Sequence, residues 1–303
     1  MVQIAGWSGL VEFLKETTYG SAPATGTFSW FGHVTKVSVK STVDLEEKYR
    51  LRGADATDRR ACAEVNAKLE HHNVTVEYLA QAVSSSVDWA DTADLAFGAT
   101  NGPADDLTSV VINVVASSGT AEYACLGALA NTIEMSCEAG GDVESSIEFI
   151  CQDVVPGTTS GTLTLDFSAG GLVHATEITS DVLDFQNTEV LLSGVTMTMC
   201  TGWSFKVDNK LEERFRLMGS EELPSEVLAK PRSVTGTITA DLQDNEEYDR
   251  LLARTGFAIA ILIGTKTVTF SGCKWGSLEI GIGPEDLISQ SIPFIAETFS
   301  LTG

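Results

Sequence analysis

Apolar and polar residues alternate along much of the chain. VTVEY at 74–78, TLTLDF at 162–167 and VTMTM at 195–199 carry the period-two pattern of half-buried strands. FAIAILI at 257–263, GTK at 264–266 and TVTF at 267–270 read as a hairpin, and VVINVVA at 110–116 with Ser118 and Gly119 reads as its counterpart. Helical periodicity is sparse. Tyr248, Leu251 and Leu252 make one apolar stripe; Asp244 and Glu247 have capping-box spacing, Arg250 and Arg254 sit near the negative end, and Gly256 can take a left-handed stop. A weaker helical pattern covers 88–96. The expected fold is mostly β, with sheets closed into barrels or sandwiches and each sheet system carrying one packed helix.

The pattern also repeats. LEEKYRLRG at 45–53 returns as LEERFRLMG at 211–219, 166 residues later, with six of nine positions identical; Lys48 becomes Arg214 and Tyr49 becomes Phe215, which keeps charge and aromatic body. At the same offset VSVK at 37–40 lies over WSFK at 203–206. Further along, at an offset of 145, residues 120–151 lie over 265–296 without a gap, pairing Gly127 with Gly272, IEM at 133–135 with LEI at 278–280, and SIEFI at 146–150 with SIPFI at 291–295. The smaller offset means that the first copy holds additional residues around 84–107, rich in Ser, Asp, Ala and Gly and expected as a surface loop. The reading is a tandem duplication, one β domain over 1–156 and a second over 157–303, joined at a stretch of linker composition from Val155 to Gly161. Two copies are too few for a solenoid.

Charge narrows the function. The formal net charge is -23, and no Lys or Arg occurs between Lys68 and Lys206, a span holding 19 Asp and Glu. Tight nucleic-acid binding needs cations to displace counterions from phosphates, so it is disfavoured. A solvated acidic surface accounts for the charge equally well, whereas a passage through which DNA slides without adhering requires this sign.

Duplicated β domains, a charged phrase between strands and the opening ETTYGSAP at 16–23 together resemble the tail tube (major tail) proteins of long-tailed viruses. The resemblance covers essentially the whole chain. It implies a structural virion protein whose domains stack as rings around a lumen, duplicated subunits forming homotrimers that mimic a hexamer. It also implies a tape-measure protein, a tail terminator and tail-tip proteins as partners, and viral DNA in transit during ejection. In such proteins a long loop between strands reaches neighbouring subunits, and the repeated phrase lies where that loop belongs. Leu45, Tyr49 and Leu51 would then anchor contacts, with Glu46, Glu47, Lys48 and Arg50 setting register by charge; Leu211, Glu212, Glu213, Arg214, Phe215, Arg216 and Leu217 would do the same in the second copy. Packing within each domain core is the competing explanation of the repeat. Glu134 and Glu279 hold matching places between apolar neighbours whose side chains point to the other strand face; with Glu138, Asp142, Glu144, Glu148, Glu285 and Asp286 they are candidates to line the lumen, an outer solvated face being the alternative.

No enzyme motif is present: the chain has no GxSxG, HExxH, P-loop or GxGxxG before a helix. His71 and His72 point to opposite faces of a strand, His33 has no copy, and HATE at 174–177 is too short a pattern for zinc. The acids from Asp241 to Glu247 lack EF-hand spacing and read as a helix start. Neither a cofactor nor a metal is expected. The six cysteines form no CxxC pair and do not match between copies, so they read as small core residues. The N-terminus lacks a basic region followed by an apolar stretch, and the longest apolar run, 257–263, is too short to cross a bilayer. Assembly in the host cytoplasm and final residence in the virion tail, away from membranes, are the corresponding expectations. A virion decoration or receptor- and carbohydrate-binding β module is the alternative, and a polysaccharide-acting enzyme built on paired carboxylates is a more distant one.

Overall fold

The structure, a computed structural model, describes residues 10–48, 64–82, 89–98, 107–116, 121–156, 165, 171–175, 180–215, 223–241, 246–277, 279–281 and 289–302. The first half contains β1 (Leu10–Lys15), β2 (Gly26–Thr27), β3 (Ser29–Trp30), β4 (His33–Lys48), β5 (Glu64–Leu79), α1 (Trp89–Phe97), β6 (Val110–Ala116), β7 (Ala121–Glu138), β8 (Glu144–Cys151) and β9 (Asp153–Pro156). β10 (Leu172–Val173) lies in the connection. The second half contains β11 (Thr188–Leu192), β12 (Val195–Thr196), β13 (Cys200–Asp208), β14 (Leu211–Arg214), β15 (Glu226–Ala229), β16 (Ser233–Asp241), α2 (Glu246–Ala253), β17 (Phe257–Ile263), β18 (Lys266–Trp275), β19 (Glu279–Gly281), β20 (Ser289–Ala296) and β21 (Thr298–Thr302).

Seventeen of these strands join one hydrogen-bonded network. One layer runs β4-β5-β8-β7 in the first half and continues as β13-β16-β20-β18 in the second, with β19 also against β20. The facing layers run β3-β1-β6-β7-β9 and β12-β11-β17-β18-β21. The same order of pairing therefore occurs twice. β7 and β18 each belong to both layers, and each bends at a glycine of positive φ, Gly127 at 60° and Gly272 at 66°. A side chain there would be strained in backbone, and its Cβ would also meet Gln152 or Glu297 within 2.9 Å.

Between the layers lies one apolar cluster with members from both halves, among them Val76, Phe149, Ile133 and Met135 with Trp203, Phe205, Phe270 and Phe294. Alternation produces this directly: in β5, Val74, Val76 and Tyr78 are buried while His71, Asn73, Thr75 and Glu77 are not. The hairpin of 257–263 with 266–275 forms as its pattern predicts, turning at Gly264 with φ 62°.

Four expectations need correction. VTMTM is not a strand throughout: only Val195 and Thr196 pair, after a tight turn with positive φ at Ser193 and Gly194, and the chain turns again before β13. The stretch 84–107 is not simply a surface loop, because it contains α1, whose Trp89, Ala93, Leu95, Ala96 and Phe97 are all buried. α2 is the reverse case. Tyr248 and Leu252 are exposed, no residue of it is buried, and its hold on the sheet includes Leu251 and a 2.8 Å bond from Trp275 Nε1 to Glu247 Oε2. Its left-handed stop is Arg254, φ 53°, whose N–H bonds the Arg250 carbonyl at 3.1 Å, rather than Gly256. Asp244, the expected cap, and every residue of TLTLDF except Leu165 lie outside the described residues.

The connection is held against the first half. Leu165 and Leu172 close a second apolar cluster over Phe28, Val111, Ala124 and Leu126, and β10 pairs in parallel with β2. Beside it, the fully buried Glu12 carboxylate accepts from Asn113 Nδ2 (2.8 Å), His174 Nδ1 (2.7 Å) and the Ala175 backbone N–H (2.7 Å).

Candidate assembly surfaces

The clearest contact surface in the molecule is the seam between its own halves. β7 and β13 pair antiparallel from Thr132↔Asp208 to Glu138↔Gly202, so two sheet margins that would otherwise be open edges satisfy each other. Lys206 Nζ lies 3.7 Å from Glu134 Oε2 across this seam, both side chains about half exposed.

Above the seam the second half caps the helix of the first. Asn209, fully buried, donates through Nδ2 to the carbonyls of Ala96 and Ala130, each at 2.9 Å, and its Oδ1 accepts from Arg232 Nε at 2.7 Å. Arg232 Nη1 reaches the Phe97 carbonyl at 3.2 Å, so a cation sits on the negative end of α1; the guanidinium also lies 5.1 Å from the centroid of the Phe299 ring. Burial pulls the Arg232 pKa below its usual value. Trp89 Nε1 donates to the Ile263 carbonyl at 3.3 Å, and Phe97 packs on Phe299 with centroids 4.7 Å apart. Sequence reasoning missed Asn209, Arg232 and Trp89. None recurs in the other copy, and the one available signal was that Asn209 precedes the repeated phrase.

The repeated phrase divides between two settings. Leu45, Glu46, Glu47 and Lys48 end β4 opposite Ala67, Asn66, Val65 and Glu64 of β5; Tyr49, Arg50 and Leu51 lie outside the described residues. In the second copy, Leu211, Glu212, Glu213 and Arg214 form β14, which pairs with β15, while Arg216 and Leu217 lie outside the described residues. This hairpin rests on the first half. Leu211 N donates to Asn131 Oδ1 at 3.0 Å, and Pro224, which precedes β15, accepts from Gln152 Nε2 at 3.1 Å. Phe215 meets the His71 ring edge-on at 5.3 Å. Glu213 bonds His71 Nδ1, and Asp44 lies 3.6 Å from Nε2; the Glu213 hydrogen bond, followed by lesser carboxylate attraction, raises the His71 pKa above its ordinary value. Glu212 pairs with Lys230 at 2.6 Å on the open side.

The solvent face of the long layer is polar. Lys36, Glu77, Ser146, Glu134, Lys206, Thr235, Ile295 and Lys274 form one cross-strand row over eight strands. Glu138, Glu144 and Glu148 share this face with Glu134, whose neighbours Ile133 and Met135 are buried on the other side; Asp142 sits in the β7–β8 turn. Glu279 pairs with Ser291 in β19, and Glu285 and Asp286 lie outside the described residues. The acids are not alone there, because Lys36 holds Glu77 at 2.6 Å as Lys206 holds Glu134.

Among the described residues no group of three or more His, Cys, Asp or Glu could hold a metal ion, and no helix is long and apolar enough to cross a membrane. Cys125, Cys137, Cys151 and Cys273 are buried free thiols, as small core residues would be, and burial pushes the Cys273 thiol up to about 11. The family model described as phage tail tube protein matches residues 6–296. No curated protein matches the chain.

Proposed function

Because the chain belongs to the phage tail tube protein family, and is therefore a structural protein of the virion tail, we propose that three copies close into one ring and that stacked rings form the conduit for viral DNA during ejection. The observation that carries this is the order β4-β5-β8-β7 followed by β13-β16-β20-β18. In this reading the two halves are duplicated domains, 1–156 and 157–303, and three chains present six similar units with true threefold order. The long-layer face lines the lumen, where Glu134, Glu138, Glu144, Glu148 and Glu279 repel phosphate. The phrases at 45–51 and 211–217 make equivalent contacts, one within the chain and one to a neighbour. Growth on a tape-measure protein, capping by a terminator and attachment to tail-tip proteins complete the assembly, which forms in the host cytoplasm.

Purified protein imaged by electron microscopy should form hollow tubes, and averaged rings should refine with threefold symmetry and three chains. Rings of six whole chains would refute the pseudo-hexamer. An unassembled protein that instead adheres to glycans or cell surfaces would favour a decoration or receptor-binding module.

A further inference from the structure

The long layer has two margins. Among the described residues β4 pairs only with β5, and β19 pairs only with β20, so each presents a row of backbone groups to the outside. The β4 margin occupies in the first half the place that β13 occupies in the second, and β18–β19 occupies the place of β7. β13 and β7 are already joined.

The correspondence is fixed residue by residue. A register shift between Val34 and Lys36 recurs between Cys200 and Gly202, the pair Val39↔Val74 recurs as Phe205↔Gly236, and Glu134↔Ser146 recurs as Glu279↔Ser291. Carrying the internal seam across, Lys206↔Glu134 becomes Lys40 opposite Glu279, Phe205↔Met135 becomes Val39 opposite Ile280, and Ser204↔Ser136 becomes Ser38 opposite Gly281.

An independent observation concerns the helices. α1 is buried because the second half covers it through Phe299, Ile263, Asn209 and Arg232. α2 holds the equivalent place but leaves Tyr248 47 % and Leu252 63 % exposed. The first-half position matching Asn209 is Val43, an apolar residue 39 % exposed on β4. An apolar helix face and an apolar strand position are thus open at the two surfaces that the transferred seam would bring together.

We infer that a second copy of this chain docks its β4 margin antiparallel onto β18–β19 in the register that sets Lys40 opposite Glu279, and covers α2 with the surface around Val43. The partner is this chain itself; the inference rests on the tube reading and specifies its interface. The contact is head-to-tail, so it closes into a ring or runs on as a filament according to the rotation between copies.

Hydrogen exchange on wild-type protein before and after polymerisation should show the amides from Ser38 to Thr42 gaining protection, and unchanged exchange there would overturn the docking. A Lys40→Cys/Glu279→Cys variant, oxidised mildly after assembly, should give covalent multimers that a Lys40→Cys/Ile280→Cys variant does not, because neighbouring strand residues face opposite ways. Tubes with no 40–279 cross-link, or with a 40–280 one, overturn the register and leave the tube reading standing; wild-type protein that forms no tubes overturns that reading itself. Tyr248→Asp/Leu252→Asp should leave the melting temperature of the unassembled chain unchanged while raising the critical concentration for assembly about tenfold or more, since charges replace apolar contacts at each junction. An unchanged critical concentration would remove α2 from the interface.

Discussion

His71 shows how one residue ties the sequence repeat to the joining of the two halves. It lies on β5 of the first half and is held by Glu213 and Phe215 of the second copy of the phrase, with Asp44 on its other nitrogen. Its folded pKa is raised above 6.5, so the protonated form is the one that the contact favours. The linkage follows: the contribution to stability is present in full below pH 6.5 and fades as pH rises through the raised folded value. Thermal melts of the unassembled chain from pH 5 to 9 should show this decline, and His71→Gln should flatten it; parallel curves would place His71 outside the balance. The two aromatic positions of the phrase should behave differently. Phe215→Ala removes a contact inside one chain and should lower its melting point by an amount equivalent to about 1 kcal/mol, since the ring is only half buried. Tyr49→Ala should leave the melt unchanged and abolish tubes, because in the proposed ring its counterpart contact lies between chains. A destabilised Tyr49→Ala chain would return the phrase to core packing. The sequence exposed the repeat but not that its second occurrence rests on β5 of the first half, since identical letters do not say which surface they meet.

At the scale of elements, strands were easier to read than helices. Period-two runs flanked by turn residues gave β5 and the β17–β18 hairpin directly, because burial on one face leaves its trace in the alternation. The helices were inverted: the better amphipathic pattern belongs to exposed α2, and the weaker one to buried α1. A helix covered on several sides loses its polar stripe, so its pattern is weakest where its burial is greatest. What fixes α1 is distant in sequence, since Asn209 and Arg232 close its last carbonyls from the other half. Asn209→Ala should therefore cost about 2–3 kcal/mol, leaving the Ala96 and Ala130 carbonyls and the Arg232 guanidinium short of a partner in a buried place. Denaturant melts would measure it, and a loss below 0.5 kcal/mol would show that water substitutes readily. The bend glycines give a paired test. Gly127→Ala and Gly272→Ala should each destabilise by at least about 1 kcal/mol from backbone strain alone. The first should lose more, because a Cβ at Gly127 also comes within 3.3 Å of the Gly20 backbone, in the ETTYGSAP turn whose Gly20 N–H is held by Glu16 at 3.0 Å, whereas at Gly272 the nearest atoms belong to the Glu297 side chain.

At the scale of the whole molecule, the net charge of -23 has to be placed on a surface before it means anything. The sequence identified the acids and even their facing, since Glu134 alternates with Ile133 and Met135, but it did not show that Lys36 and Lys206 would sit among them. The long-layer face is therefore mixed along the Glu134 row, and the exposed carboxylates of Glu138 and Glu144, one strand step away, are the better test of a lumen. Glu138→Lys/Glu144→Lys reverses two charges per chain on a solvent face without touching the core; Glu138 is the end pair of the β7–β13 seam, which is held by backbone groups that the substitution leaves in place, so folding and tube formation should persist. If that face lines the channel, DNA passing through a tube meets rings of added cations, each able to displace counterions from phosphate, and release should slow strongly at low salt and recover as salt rises. If the face is on the outside, screening over a Debye length of about 10 Å at 0.1 M salt keeps the change from reaching the DNA, and release should be normal at every ionic strength. Ejection rates of variant particles between 20 and 300 mM salt separate the two outcomes. A slow, salt-rescued release would fix the polar face as the lumen wall; a normal one at 20 mM would turn the long layer outward and move the charge argument to another surface.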